Sequence, residues 1–367
     1  MTKPIDSVWE LPDHSRVKHE ILRAYLDRWM PILSSKFERV IFVDGFAGPG
    51  VYKNGEPGSP LIAINALMDF TTKMGLRIPM RFVFLEADGD RYLTLKAVTD
   101  ELRLELPEYV QLFVENAPFE DEATGLLDNI GSGGSGHLAP SLWFIDPFGY
   151  TGFPMKLIRR ISKHPSSEVF INFMSGYVNR FKTKEGQQNA MNQLFGRDVG
   201  DELQDVSIDG CVSMYRRELL QQTDFRYCLH FAIAQRQKQG ESWYHMVFAT
   251  KHPKGFEKMK EAMWKTDPDG GFRYRARDSE SGQLLLFDGP DCEVLRRRLQ
   301  SHFQGKCVRV EDLEAFVVEE TLFLVKHLRK PVLDPLEAAG EIEVIGRTRK
   351  NSYKGCQIRF PTQPRRG

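Results

Sequence analysis

Three acids stand where chemistry would need them. Asp44, Glu86 and Asp146 each directly follow a short apolar run, Val40–Val43, Phe82–Leu85 and Leu142–Ile145. Asp44 opens a glycine-rich turn, Asp44-Gly45-Phe46-Ala47-Gly48-Pro49-Gly50. Glycines there let the backbone take positive φ and let a ligand come close to the main chain. The spacing is not Gly-x-Gly-x-x-Gly, and no Lys-Ser/Thr pair follows, so no pyrophosphate is implied. Glu86 could accept hydrogen bonds from both hydroxyls of a ribose, with Asp88 in reserve. It lies roughly 40 residues after Asp44, against about 20 in dinucleotide folds, and the inserted loop accounts for the excess. Asp146-Pro147-Phe148 offers acceptors for an amine and a ring to stack on a base, which is how base-acting enzymes hold their target. An ordinary tight turn also explains the glycine stretch, and an Asp-Pro-Phe turn can close a strand without any catalytic role.

These residues need a scaffold that brings strand ends together. The apolar runs suit strands buried on both faces of a parallel sheet. Further strands are expected at Val110–Val114, Glu168–Phe173, Phe225–Gln235 and Trp243–Thr250, the last two as an antiparallel hairpin. His14–Leu33 has helical apolar spacing. Ser59 looks like an N-cap with Pro60 in the first turn of a helix over Leu61–Phe70. Asn116-Ala117 follows the third strand, where Asn equally suits a plain turn. The predicted fold is α/β: a Rossmann-like, mostly parallel sheet with an antiparallel terminal hairpin, over residues 1–266. Residues 267–290 read as a linker containing a short apolar run, Leu284–Phe287. Residues 291–361 change pattern to helices over Cys292–Phe303, Val310–Val318 and Pro331–Ala339. A hairpin over Glu341–Ile345 and Gln357–Phe360 follows, which together describe a winged-helix-like domain. Residues 362–367 are expected to be disordered.

Composition sets limits. The 367 residues carry no formal net charge, so no global field draws in polyanions. Nucleic-acid contact would need local basic patches. Two candidates are Arg180 and Lys182, interleaved with aromatics, and Arg347, Arg349, Lys350 and Lys354 in the hairpin loop. A merely solvated charge face explains either equally well. No apolar run reaches the roughly 20 residues of a membrane helix. No signal-peptide pattern opens the chain, so a cytoplasmic location is expected. Five dispersed cysteines without Cys-x-x-Cys argue against a metal site.

The turn at Asp44–Gly50 resembles motif I of S-adenosylmethionine-dependent methyltransferases, in the form found in enzymes that methylate nucleic acid. Asp146-Pro147-Phe148 resembles motif IV of amino-methylating enzymes, although Phe148-Gly149 replaces the second proline and aromatic. Several stretches together resemble the three-Cys-motif partner family: His14-Ser-Arg-Val-Lys18-His19-Glu20, Val43–Gly50, Gly58-Ser-Pro-Leu61, Phe144-Ile-Asp-Pro-Phe-Gly149 and Asn172-Phe-Met. The resemblance implies a bacterial, class I methyltransferase-like chain with S-adenosylmethionine as cofactor and a radical-S-adenosylmethionine-like three-cysteine protein as partner. It also implies roles. Asp44, Gly45, Phe46, Ala47, Gly48 and Gly50 would cradle the cofactor. Glu86 or Asp88 would bind its ribose, and Asn116 and Ala117 would flank its adenine. Lys18 would face its methionine end. Asp146 and Pro147 would orient an amine, and Phe148 would stack on the base. The rival expectation is a non-catalytic nucleic-acid-binding adaptor, favoured by the missing second proline. A nuclease is discounted, because no carboxylate and lysine cluster has metal-site spacing.

Overall fold

The computed structural model describes residues 8–75, 77–132, 136–237, 240–266, 273–275, 292–349 and 352–362. The chain divides into two units, Met1–Thr266 with Arg273–Asp278, and Asp267–Phe272 with Ser279–Gly367.

In the first unit the strands are β1 (Val40–Asp44), β2 (Met80–Leu85), β3 (Val110–Glu115), β4 (Ser141–Ile145), β5 (Ser167–Phe173), β6 (Tyr227–Gln237), β7 (Gly240–Thr250) and β8 (Arg273–Arg275). They form one sheet in the order β3-β2-β1-β4-β5-β7-β6-β8. β1 to β5 are parallel, and β7 enters antiparallel between β5 and β6. This is the Rossmann-like sheet the sequence predicts, including its antiparallel hairpin. β8 adds a strand beside β6, inside the stretch expected to be linker. The remaining linker, with Leu284–Phe287, lies outside the described residues, as does most of the tail.

The chain builds β1, β2 and β3 outward and then returns to place β4 on the other side of β1. Open α/β sheets bind ligands beyond the carboxyl ends of their strands at such a reversal. Register sets what meets there. Asp44 lies beside Phe144, and Ile145 beside Ile171. Asp146 and Asn172 therefore emerge next to one another.

Ten helices accompany the described part of this sheet: α1 (Asp13–Ser34), α2 (Ser59–Met74), α3 (Gly89–Arg103), α4 (Phe119–Ser132), α5 (Met155–Ser162), α6 (Ser175–Phe181), α7 (Gln188–Phe195), α8 (Gly200–Gln204), α9 (Ile208–Gln222) and α10 (Pro253–Thr266). β1, β4 and β5 are buried along their whole length. Successive side chains of a strand point to opposite faces. One face, with Ile41, Val43, Trp143, Ile145 and Ile171, packs into a core with residues of α4, α5, α7 and α9. The other carries an aromatic series in which Phe42 and Phe82 ring centres lie 6.2 Å apart and Phe144 and Phe170 5.6 Å apart. Tyr25 of α1 meets Phe248 at 5.1 Å on that side. α1 is thereby held over the sheet, which positions Lys18 and His19.

One local reading needs correction. Gly58, not Ser59, is the N-cap of α2, with Pro60 in its first turn. Ser59 instead turns its hydroxyl to Asp44. The stretch after Asn172 winds into α6.

The second unit contains α11 (Cys292–Phe303), β9 (Cys307–Arg309), α12 (Val310–Glu320), α13 (Asp334–Ala338), β10 (Glu343–Ile345) and β11 (Gln357–Arg359). Its antiparallel sheet runs β10-β11-β9. β9 is too short and too exposed to show an apolar pattern. The helix expected from Pro331 begins as a π-helical turn over Arg329–Leu333 that runs into α13. The Leu333 amide there donates to the Leu328 carbonyl, five residues back, at 2.9 Å.

Among the described residues, no helix is long and apolar enough to cross a membrane, and no His/Cys/Asp/Glu group could hold a metal ion.

Candidate active site

Beyond the carboxyl edge lies a cavity of about 130 Å³. Its walls include Lys18 and His19 of α1, the turn Phe46–Gly50 with Tyr52, Asp146-Pro147-Phe148, and Asn172 with Met174, and Trp9, Gly58-Ser59 and Tyr244 of β7 add to them. Segments far apart in sequence meet here because the register of β1, β4 and β5 aligns their ends.

The centre is a fixed carboxylate. The Lys18 ammonium donates to both oxygens of Asp146, at 2.9 Å to Oδ1 and 2.6 Å to Oδ2. Asn172 Nδ2 donates to Oδ1 at 2.6 Å. Lys18 is only 7% exposed, so solvent screens the pair poorly. A carboxylate has about four acceptor positions, and these bonds fill three of them. One position on Oδ2 remains for an incoming N–H. The Asn172 carbonyl oxygen has no hydrogen-bond partner among the described residues, nor does His19 Nδ1. Two buried polar atoms without a partner among the described residues thus lie on residues lining the same cavity as the held acid.

Beside it runs the glycine turn. Gly48 and Gly50 take φ of 62° and 78°, which favours glycine. A Cβ on Gly48 would meet nothing within 4 Å, so the main chain there faces open space. The loop after Gly50 closes on itself: the Gly58 amide donates to the Gly50 carbonyl at 2.7 Å, and the Tyr52 amide to Glu56 at 2.9 Å. Arg16 of α1 pairs with Glu56, which fastens the loop to that helix.

Asp44 is fully buried behind the turn. Its Oδ1 accepts from the Phe46 amide at 3.2 Å, while Oδ2 has no partner among the described residues. Burial, with smaller contributions from Asp146 and Glu86, pushes its carboxyl up to about 7. Burial beside Lys18 pushes the His19 imidazole down to about 4.

The two groups give opposite pH dependences. His19 is charged in the unfolded chain below about 6.5 but neutral in the fold. Its contribution to stability is complete above that value and lost as pH falls toward 4. Asp44 is protonated in the fold up to about 7, so its contribution is complete below about 3.8 and lost as pH rises through 7. Asp44→Asn should therefore stabilise the protein at pH 8 by an amount on the order of 1–4 kcal/mol and hardly at all at pH 4. Urea unfolding at both values checks this; equal effects at the two would refute it.

The remaining expected site residues lie off this cavity. Glu86 is buried, and its carboxylate accepts from the Gly48 amide at 2.9 Å and the Asp88 amide at 2.8 Å. Asn116 Nδ2 donates to the Glu86 carbonyl at 2.8 Å. Glu86 and Asn116, with Ala117 next in the chain, thus adjoin the glycine turn on its far side. The Asp88 carboxylate accepts from the Asp90 and Arg91 amides and N-caps α3, so the reserve ribose acid has a structural task. Gly45 is closed off, since a Cβ there would lie 2.5 Å from the Phe119 ring.

The expected basic patches are partly consumed. Lys182 donates to the Val206 carbonyl, and Arg180 lies over the Phe181 ring at 5.4 Å. Arg347 pairs with Glu337 at 2.6 Å and covers Tyr353. Arg349 and Lys354 are exposed, and Lys350 lies outside the described residues.

Of the mouth, sequence reading named Phe148 but not Trp9 or Arg91. Phe148 is 71% exposed. Trp9 meets it at 6.0 Å between ring centres and meets Tyr52 at 5.9 Å. The Arg91 guanidinium, from the first turn of α3, lies 5.1 Å from both the Trp9 and Phe148 rings. Trp9 precedes any predicted element, and nothing in the sequence around Arg91 sets it apart. The single usable signal was an aromatic residue just before α1.

No family model matches the chain, and no curated protein matches it. Solved structures do. A protein of Legionella pneumophila str. Philadelphia 1 is 14% identical, with 68% of this chain and 90% of that one covered and a TM-score of 0.41. Human methyltransferase-like protein 13, in complex with S-adenosylhomocysteine, is 13% identical over 73% of this chain and 97% of its own, with a TM-score of 0.35. The O-methyltransferase from Bacillus cereus, in complex with S-adenosylhomocysteine, is 14% identical over 65% and 84%, with a TM-score of 0.33. Similarity at this level says nothing of substrate or site.

Proposed function

We propose that the protein is an S-adenosylmethionine-dependent methyltransferase whose acceptor is an exocyclic amine of a nucleic-acid base. One observation carries this reading: an acid held by Lys18 and Asn172, with one acceptor position left, shares a cavity with an open glycine turn. The residues present suit the cofactor. Asn172 Oδ1 and His19 Nδ1 belong to residues that line the cavity and have no partner among the described residues, so the site has polar atoms left over for an ammonium group. Glu86 keeps acceptor capacity beyond its two backbone bonds, enough for ribose hydroxyls. Gly48, with space where a side chain would stand, admits close approach to the backbone. When bound, the cofactor supplies an electrophilic methyl group.

The chain's own residues supply position. Lys18 and Asn172 fix the Asp146 rotamer, and Oδ2 accepts an N–H of the amine, which turns its lone pair inward. Phe148 and Trp9 present ring surfaces to the base. The proton displaced on nitrogen leaves to solvent. Positioning of this kind can account for much of a rate enhancement.

Calorimetry with S-adenosylmethionine and a labelled-methyl assay on pooled DNA, tRNA and rRNA test the proposal. Binding and transfer are expected, and absence of cofactor binding would end it. Trp9→Ala should raise KM for a base-containing acceptor by about 10–100-fold and leave kcat nearly unchanged, as loss of a stacking surface worth ~1–3 kcal/mol demands. Steady-state kinetics decide this.

The finer assignment, a three-Cys-motif partner protein working with a radical-S-adenosylmethionine-like protein, is supported by the stretches around Lys18, Asp44–Gly50, Ser59 and Asp146. In the second unit the order of α11, β9, α12, α13, β10 and β11 supports a winged-helix-like module, with Arg349 and Lys354 exposed for phosphate contact. The adaptor reading draws on Phe148, which stands where amino-methylating enzymes carry a second proline. Cofactor binding without transfer to any pool would favour it.

A further inference from the structure

The first unit holds a second, larger cavity of about 880 Å³. It opens at the opposite end of β5, where Ser167 and Glu168 begin the strand that Asn172 nearly ends. Four residues of extended chain, about 13 Å, separate Glu168 from Asn172. The methyl-transfer reading makes no use of this cavity.

Its lining is one-sided in charge. Lys36, Lys163, Arg226, Lys251, Lys254 and Lys258 stand against Asp224 and Glu168. Glu168 offsets little of this. It is buried, burial raises its carboxyl above the usual range, and its oxygens accept from Tyr25 Oη at 2.6 Å, Trp29 Nε1 at 3.0 Å and Thr250 Oγ1 at 2.7 Å. Lys258 pairs with Glu261, and Lys251 donates to the His164 carbonyl at 2.9 Å. Among the described residues, Lys36, Lys163, Arg226 and Lys254 have no ion pair. A chain with 50 acids and 50 bases thus gathers uncompensated positive charge around one hollow. A cleft with low-dielectric walls focuses such a field on an anion.

The walls also offer flat apolar surface. Trp29 and Phe225 are buried in them, and Phe37 stands 38% exposed at the cavity. The volume falls within the ~300–1,000 Å³ of small-molecule sites. Cations and an accessible ring around a hollow of this size fit one ligand chemistry: a phosphate joined to a planar heterocycle.

We infer that this cavity binds a mononucleotide, its phosphate among Arg226, Lys254 and Lys36 and its base against Phe37. The site stands independently of methyl transfer. The test is calorimetric titration of the full chain with AMP, GMP, inorganic phosphate and a ten-residue RNA. A mononucleotide should bind at least about tenfold more tightly than phosphate. Arg226→Glu with Lys254→Glu should weaken it at least about tenfold. Both positions are exposed, so the fold should survive, and circular dichroism verifies that. Phe37→Ala should weaken the mononucleotide and leave phosphate unchanged. Gly48→Ala, which should weaken cofactor binding at the glycine turn, should leave all these affinities unchanged, and this separates the cavity from the other one. Binding of phosphate as tight as of nucleotide, binding insensitive to the charge reversals, or binding of RNA alone would each overturn the assignment.

Discussion

Asp146→Asn is expected to lower methyl transfer by a factor on the order of 10²–10³, the usual cost of losing one preorganised polar contact at a reacting centre. Both partners of Asp146 are donors, the Lys18 ammonium and the Asn172 amide nitrogen. An amide in place of the carboxylate must aim its own NH₂ at one of these donors or at the incoming amine. Every choice leaves a donor facing a donor, and none restores a charged acceptor. S-adenosylmethionine affinity should change little, because the glycine turn and Glu86 are untouched. Lys18→Met should cost transfer by a comparable factor through a different route: Asp146 keeps its charge but loses its anchor. The two losses should not add, since both act on the orientation of one carboxylate. A double-mutant cycle on single-turnover rates reads this directly. Wild-type transfer by Asp146→Asn would remove Asp146 from the reaction.

Gly58→Ala should destabilise the loop that follows the glycine turn. A Cβ there would lie 2.9 Å from the Gly50 carbonyl oxygen and 3.1 Å from its carbon, both backbone atoms that have nowhere to go. The hydrogen bond from Gly58 to Gly50 closes the loop, so relief requires opening it. Overpacking of this kind costs ~1–3 kcal/mol. That corresponds to a Tm lowered by roughly 2–12 °C in a unit of this size. Gly48→Ala makes the instructive contrast. Its Cβ meets nothing, so its stability cost is limited to the left-handed backbone, about 1–2 kcal/mol. The new methyl nevertheless stands in open space beside the cavity, and cofactor affinity should fall at least about tenfold. Thermal melts paired with calorimetry separate the two. Tight cofactor binding by Gly48→Ala would show that the ligand does not approach the turn.

The strands were legible in the sequence where burial on both faces leaves an unbroken apolar run, as in Val40–Val43 and Leu142–Ile145. Asp44, Glu86 and Asp146 were legible because each ends such a run. The pairing of Lys18 with Asp146 was not, since the partners stand 128 residues apart and only sheet register brings them together. Arg91 and Trp9 were hidden for the same reason. Charge alone also misled at Lys182 and Arg347, because a basic side chain can as well complete its own fold as meet a phosphate. Ser59 followed a sound capping rule, yet Asp44 competed for its hydroxyl. The short strand β9 and the helices α7 and α8 carry too few apolar positions to announce a period.

The insertion of β7 between β5 and β6 has a consequence for biosynthesis. As the chain leaves the ribosome, β5 is complete many residues before its neighbour exists. Until residues 240–250 emerge, one backbone edge of β5 has no partner from the finished sheet, and unpaired strand edges invite association between nascent chains. Products that stop short of that point should be recovered as aggregates even though they contain every segment lining the candidate site except Tyr244.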